Sequence, residues 1–348
     1  MIPVNITEIE DGPLGPLALS RSGVDRVTKR REDPAWLDRA WADPRSRVLV
    51  LRDFEAPVAT LDGQLELVFV APADAPDGTR LLLGVDAGDV AYWAVLPRAA
   101  SPAPPAPLTS PASLAPPVEL QGGEPAGPRS ESPDAKPMGL RQAGALLSDR
   151  DAGLLTHAVA LAQWHATHTH CPQCGSATVP APGGHLTVCP VDRTQHFPRL
   201  DPAVIMLVID ADDRLMLARN ALWPAGRMSV VAGFVEPGES AEHAVAREVF
   251  EETAVVVGQV SYLGSQPWPM PRSLMLGFTA TALGSQQISV DEDEIGEARW
   301  FTRAELLAAI EAGELGIAPV TSIARRLIEY WYGAELPDGP ASWLGSRR

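Results

Sequence analysis

Apolar positions recur along this chain in two rhythms, and the switches between them divide it. Short alternating or continuous runs, RVLVLRDF (47–54), LELVFVAP (65–72) and VAYWAVLP (90–97), are bounded by Gly, Asp and Pro, the pattern of strands closed by turns. With PAWLDRAWADP as a helix, residues 1–100 read as a small sheet-rich domain. Between 139 and 170 the rhythm changes: Leu154, Ala158, Leu161, Ala162 and His165 fall at three- and four-residue steps, which predicts a helix or helix pair. From Asp201 the two rhythms mix. Strands are expected at 203–210, 214–220 and 228–235, a helix at 240–253, then strands in VVVGQVSYLG, SLMLGFTATAL and EARWFT, and helices near RAELLAAIEAG and SIARRLIEYWYG. Strands before and after a central helix predict an α+β fold or an α/β/α sandwich, not a regular parallel βαβ array.

One stretch has neither rhythm. Ser101 to Pro137 carries 11 of the chain's 34 prolines and no aromatic residue, so it cannot bury enough surface to offset ordering. It is expected to be a flexible linker.

Composition narrows the classes. At 348 residues, 45% hydrophobic and 21% charged, the chain has material for two domains or more. A formal charge of -16, from 44 acidic against 28 basic residues, argues against a general nucleic-acid binder, because phosphate affinity is mostly electrostatic. An anionic ligand then needs local arginines or bound cations. The apolar runs VIMLV and LLTHAVALA are too short or too interrupted to span a bilayer, and MIPVNITEIEDGPLGPLALS lacks the charged and apolar regions of a secretory signal. A cytoplasmic protein is expected. Three cysteines, two of them in CPQC, suit metal or structural thiols in a reducing compartment rather than a disulfide framework.

Against this background GFVEPGESAEHAVAREVFEETAVVV (233–257) stands out. Ser240 can cap a helix on which Glu248, Glu251 and Glu252 share one face, while Val245 and Val249 turn to the core. Like charges at such spacing repel by a few tenths of a kcal/mol per pair, roughly. Converging carboxylates suit Mg²⁺ or Mn²⁺, which removes that repulsion. A merely solvated acidic face is the competing reading. The segment resembles the Nudix box, G-x5-E-x7-R-E-U-x-E-E-x-G-U with U aliphatic, through Gly233, Glu239, Arg247, Glu248, Val249, Glu251, Glu252 and Val255. Ala254 replaces the second glycine, at a helix exit where a left-handed conformation is often wanted. The resemblance implies an α/β/α sandwich, hydrolysis of a nucleoside diphosphate linked to another group, Glu248, Glu251 and Glu252 as metal ligands with the Ala232 carbonyl, and Arg247 orienting the glutamates, with Glu239 as its partner.

Further motifs narrow the resemblance to NADH pyrophosphatases. SQPWPMPRS (265–273) is similar to their SQPWPFPxS signature, with Met270 in place of Phe. Its prolines are expected to stiffen a loop that does not pair as a central strand. The resemblance makes Gln266, Pro267, Trp268, Pro269, Met270, Pro271, Arg272 and Ser273 substrate-binding, joined by Phe197 at a tyrosine position in HFPRLDP and by Ala324. Glu294 corresponds to a distal metal-binding glutamate. A zinc ribbon is implied by Cys171, Cys174 and Cys189, but Asp192 stands where a fourth cysteine belongs. A Cys3Asp site, a substitute ligand from His170, His185 or His196, and loss of zinc are the alternatives. The implied order is an NADH-pyrophosphatase-like domain (1–100), the linker (101–138), a helical segment with the degenerate ribbon (139–200), the Nudix domain (201–335) and a tail (336–348). The implied activity is metal-dependent cleavage of NADH or NAD to nicotinamide mononucleotide and AMP, extending to NAD-capped RNA, by a homodimer. Another dinucleotide or a nucleotide sugar as substrate, or a nucleotide-sensing module without catalysis, are the alternatives.

Overall fold

A computed structural model describes residues 12–98, 134–285 and 287–338. Most of the expected linker and of the tail lies outside them. Among the described residues no helix is long and apolar enough to cross a membrane.

In the N-terminal half, helix α1 (Pro34–Ala42) starts from Asp33, whose side chain accepts the Ala35 N–H, with Pro34 in the first turn. Strands β1 (Arg47–Val50), β2 (Glu55–Leu61), β3 (Gln64–Leu67), β4 (Gly78–Val85), β5 (Ala91–Pro97) and β6 (Lys136–Gly139) form two sheets of order β1-β5-β4 and β3-β2-β6. Strands β2 and β4 are additions to the three runs read from the sequence. Strand β6 corrects the linker boundary: Lys136, Pro137 and Met138 pair with Val58, Pro57 and Ala56 of β2. Helices α2 (Leu140–Ala143) and α3 (Asp149–Thr167) follow. Leu154, Leu155, Ala158, Leu161 and Ala162 of α3 share a core with Leu49, Leu81, Leu83 and Ala94. The helix expected to introduce the cysteines therefore packs on the N-terminal sheet.

Three two-residue strands, β7 (Val179–Pro180), β8 (Thr187–Val188) and β9 (Gln195–His196), form the small antiparallel sheet of the cysteine segment.

The C-terminal half is built from β10 (Asp201–Ile209), β11 (Leu215–Asn220), β12 (Val231–Phe234), α4 (Ala241–Thr253), β13 (Val257–Trp268), β14 (Ser273–Ala282), β15 (Ile295–Phe301), α5 (Arg303–Glu311) and α6 (Ile323–Tyr332). Its mixed sheet runs β13-β14-β10-β11-β15, with β12 also paired to β10 and only β10–β14 parallel. Strand alternation sorts the core into two layers. Val204, Met206, Val208 and Met216 meet Ala244, Val245 and Val249 of α4. Their neighbours Ile205, Leu207, Leu215 and Leu217 meet Leu306 and Ile310 of α5 and Ile323, Leu327 and Ile328 of α6. This is the expected α/β/α sandwich. Burial on both faces explains why β10 reads as a continuous apolar run.

The halves are tied together. Leu14 and Leu17 enter the α5–α6 core while Leu19 enters the N-terminal core. Ser20 Oγ donates to the Ser265 carbonyl at 2.9 Å, and Thr321 Oγ1 to the Arg141 carbonyl at 3.0 Å. Trp268 and Met270 pack against the N-terminal core. The proline-stiffened segment expected as a loop is in part strand, though not a central one: Gln266, Pro267 and Trp268 pair with Met275, Leu274 and Ser273. Proline is tolerated there because β13 is an edge strand, so its missing N–H breaks no interior ladder.

Candidate active site

The glutamate-rich segment forms its helix for local reasons. The Ser240 side chain accepts the His243 N–H, Glu242 lies in the first turn, and α4 ends on Ala254 in the left-handed conformation, φ 56° and ψ 14°. Beneath the helix, β12 brings Gly233 so close to Glu248 that a Cβ there would sit 1.9 Å from its Cδ. Only glycine leaves room for that carboxylate. Arg247 then holds the loop and helix together. It donates to both Glu239 oxygens at 2.8 Å, to Glu248 at 2.9 Å, to Glu251 at 2.8 Å and to the Phe234 carbonyl at 2.9 Å.

Two of the three glutamates turn inward. Glu252 is buried, and its carboxylate receives no hydrogen bond or ion pair among the described residues. Burial, and then the charges of Glu248, Glu294 and Glu251, push its pKa up to about 8. Burial likewise raises Glu248, against the pull of Arg247. Glu251 is 57% exposed along its side chain. Glu294 lies at the exposed entry to β15, where its carbonyl accepts the Ala221 N–H. A buried carboxylate without donors, beside two or three others, is a set of hard oxygen ligands that a divalent cation would complete.

A cavity of about 390 Å³ opens above Glu252. Its walls include four residues singled out from the sequence, Ala232, Glu252, Trp268 and Ala324. Others in that set lie apart from it. Gln266 is fully buried and donates to the Thr321 carbonyl at 3.0 Å. Met270 is packed against the N-terminal core. Arg272 donates to Asp201 at 2.7 Å, fastening the tip of the β13–β14 hairpin that carries Pro269 and Pro271 to the start of β10. Ser273 pairs with Trp268 in the ladder. Phe197 is 63% exposed and outside the cavity wall. The cavity wall also includes Arg141, Asn220 and Trp223, which no motif or spacing singled out. The Arg141 guanidinium lies 5.3 Å from the Trp268 ring centroid. No periodicity links Arg141 to the box; only the packing of α2 against the C-terminal half does.

At the cysteine segment one ligand atom each from Cys171, Cys174, Cys189 and Asp192 lies within 4.8 Å of the others. Two similar turns build this cluster. Gly175 and Arg193, both with positive φ, return N–H groups to the carbonyls of Cys171 and Cys189. Thr194 fixes Asp192 through its N–H (3.0 Å) and hydroxyl (2.5 Å). Three sulfurs and a carboxylate fit zinc. The histidines considered as substitutes bond elsewhere: His170 to Thr169, His196 to Thr194, and His185 to the Leu82 carbonyl and Arg31.

The sandwich and its glutamate helix define a Nudix hydrolase, and a NUDIX domain model matches residues 199–321. Two further models match the rest, an NADH pyrophosphatase zinc ribbon domain over 166–197 and an NADH pyrophosphatase-like rudimentary NUDIX domain over 38–164. The second range joins α3 to the N-terminal sheet, as the packing does. A Mycobacterium bovis (strain BCG / Pasteur 1173P2) protein named NAD-capped RNA hydrolase NudC is 38% identical over 332 residues, 91% of this chain and 95% of its own. The Homo sapiens NAD-capped RNA hydrolase NUDT12 is 41% identical over 197 residues, 53% of this chain and 42% of its own. A solved NUDIX hydrolase from Nitrosomonas europaea is similar over 48% of this chain and 95% of its own, with 21% identity and a TM-score of 0.38. The chain belongs to the NADH pyrophosphatase family of Nudix hydrolases.

Proposed function

We propose that this chain hydrolyses the pyrophosphate of NADH or NAD to nicotinamide mononucleotide and AMP, and acts in the same way on RNA carrying an NAD cap. One observation carries the reading: a single cavity is lined by Glu252 of the box, whose carboxylate has no partner among the described residues, by Ala232 just before the box, and by Trp268 and Ala324. Glu248, Glu251, Glu252 and Glu294, with the Ala232 carbonyl, are the residues that would hold Mg²⁺ or Mn²⁺. Such an ion offsets charge on the diphosphate and acidifies the attacking water. Arg247 keeps Glu248 and Glu251 in place through its Nη1, while its Nε is anchored on Glu239. Glu252 or Glu251 takes the proton as water adds to phosphorus and the bridging P–O bond breaks. Trp268 and Arg141 offer an aromatic face and a cation to the substrate. Cys171, Cys174, Cys189 and Asp192 would hold zinc in a structural role, since all four positions are protein ligands and none is left open for substrate.

The reading includes a homodimer in the cytoplasm. Phe197 and Leu200, 63% and 59% exposed at the exit of the ribbon, are apolar surface for a second copy; sedimentation analysis checks this. Incubation with NADH and Mg²⁺ or Mn²⁺ is expected to release AMP and reduced nicotinamide mononucleotide, and NAD-capped RNA to yield 5′-monophosphate RNA. Cleavage of only another dinucleotide or a nucleotide sugar would reassign the substrate. Binding without cleavage of any would make the chain a sensor.

A further inference from the structure

The cavity has a second tryptophan whose setting repeats that of the first. Trp223 lines it, on the loop between β11 and β12, and the Arg227 guanidinium lies 5.5 Å from its ring centroid. Across the same space Arg141 sits 5.3 Å from the Trp268 centroid. The loop around Trp223 is held at both ends. The Trp223 N–H donates to the Asn220 carbonyl at 2.9 Å, and Arg219 donates to the Trp223 carbonyl at 3.1 Å. Further on, Gly226 has φ +79° and its carbonyl takes the Gly316 N–H at 2.7 Å; a Cβ at Gly226 would meet the Glu314 carbonyl oxygen at 2.5 Å. A tryptophan needed only for packing would be buried in a core. Trp223 belongs to no core cluster among the described residues, and its neighbour Leu222 is 92% exposed. The loop is an arm, fastened at both ends, that places an aromatic ring in the cavity wall.

The ligand this suits follows from the pairs. Each couples a flat ring to a guanidinium, and the cavity wall includes both rings, Arg141 and the carboxyl-bearing Glu252. A dinucleotide supplies a diphosphate flanked by two heterocycles. Resting on the function proposed above, we infer that Trp223, with Arg227 over it, is a specificity-determining platform for one of the two heterocycles of the substrate.

The test is steady-state turnover of NADH and of ADP-ribose with Mg²⁺, in the full chain, for the wild type, Trp223→Ala and Trp223→Phe. Loss of base stacking in Trp223→Ala is expected to raise KM about 5- to 100-fold with kcat nearly unchanged, and Trp223→Phe is expected to recover most of it. A parallel rise for both substrates assigns the platform to the adenine they share; a rise for NADH alone assigns it to the nicotinamide. A KM within about twofold of wild type for both, or a fall in kcat with KM unmoved, overturns the inference. Should Trp223→Ala not fold, Arg227→Gln decides: it is expected to raise KM several-fold, and an unchanged KM overturns the inference. Wild-type protein that cleaves neither substrate defeats the parent reading, and this inference with it.

Discussion

Helices α3 and α4 carry the same physical problem with opposite solutions. Each starts from a serine cap and packs an apolar face on a sheet. Each also buries a carboxylate. Asp151 of α3 is fully buried, but its oxygens accept the Leu67 N–H at 3.0 Å and Arg150 Nε at 2.8 Å. Glu252 of α4 is nearly as buried and has no partner among the described residues, only the neighbouring charges of Glu248, Glu294 and Glu251. Burial alone therefore does not mark a working carboxylate. The missing partner does, because an uncompensated buried charge persists only where a ligand completes it.

The largest expected effect tests that contrast directly. Glu252→Gln is expected to lower kcat for NADH by roughly 10²- to 10⁴-fold while leaving the melting temperature unchanged or higher, since an unmatched charge is removed. Asp151→Ala is expected to do the reverse. It strands the Leu67 N–H, costing about 1–3 kcal/mol of stability, with kcat preserved. Turnover by one assay and thermal unfolding by another check the pair. A Glu252→Gln enzyme with wild-type turnover breaks the comparison.

How much of this was legible in the sequence depends on distance along the chain. The box could be read because helical spacing alone puts Glu248, Glu251 and Glu252 together, and strands before and after that central helix foretold the sandwich. The cysteine cluster was equally local, each half within four residues. What escaped is non-local or masked by composition. Arg141 reaches Trp268 only after two halves pack, and Trp223 is a single aromatic in a loop with no period. Strands β2 and β6 each contain a proline, Pro57 and Pro137, which pair opposite one another. A residue type that argues against strands hid both. Family resemblance placed Gln266 and Arg272 on the substrate, whereas hydrogen bonds to Thr321 and Asp201 employ them in the fold.

Asp192 is an intermediate case, a carboxylate that has a fold partner in Thr194 and three thiols within reach of a shared ion. Asp192→Ala is expected to abolish stoichiometric zinc and lower the melting temperature by several degrees. Asp192→Cys is expected to tighten zinc, on the order of tenfold, because thiolate is the softer ligand. Metal analysis and competition with a chromophoric chelator read both.

His185 extends the contrast to a base. Its Nε2–H donates to the Leu82 carbonyl at 2.7 Å, and Arg31, which can only donate, faces Nδ1 at 3.1 Å. The neutral ring satisfies both, and protonation would set it against Arg31. Burial, first among the causes, lowers its pKa from 6.5 to about 4. Because the unfolded chain binds the proton more readily, this stabilisation is complete above pH 6.5 and is lost as the pH falls toward 4. Buried His157 and half-buried His165 are lowered too and act in the same direction. His185→Gln, whose amide can donate to Leu82 and accept from Arg31, is expected to flatten part of the acid slope in melting temperature between pH 7 and 4.5.

The smallest effect lies at the exit of α4. Ala254 holds φ 56° where the family box has glycine. A Cβ in that region costs roughly 1–2 kcal/mol, while glycine costs roughly 0.4–1 kcal/mol through the freedom it adds to the unfolded chain. Ala254 is exposed, so its methyl contributes little packing. Ala254→Gly is then expected to stabilise the protein by about 0.5–1 kcal/mol, read as a higher urea midpoint at constant slope. Its kcat should not move, because the cap lies beyond the last glutamate and Arg247 fixes Glu248 and Glu251 from the other side. A kcat that rose with the midpoint would show that strain at the cap reaches Glu252, and that its exposure to the cavity is tuned by the end of the helix as well as by its missing partner.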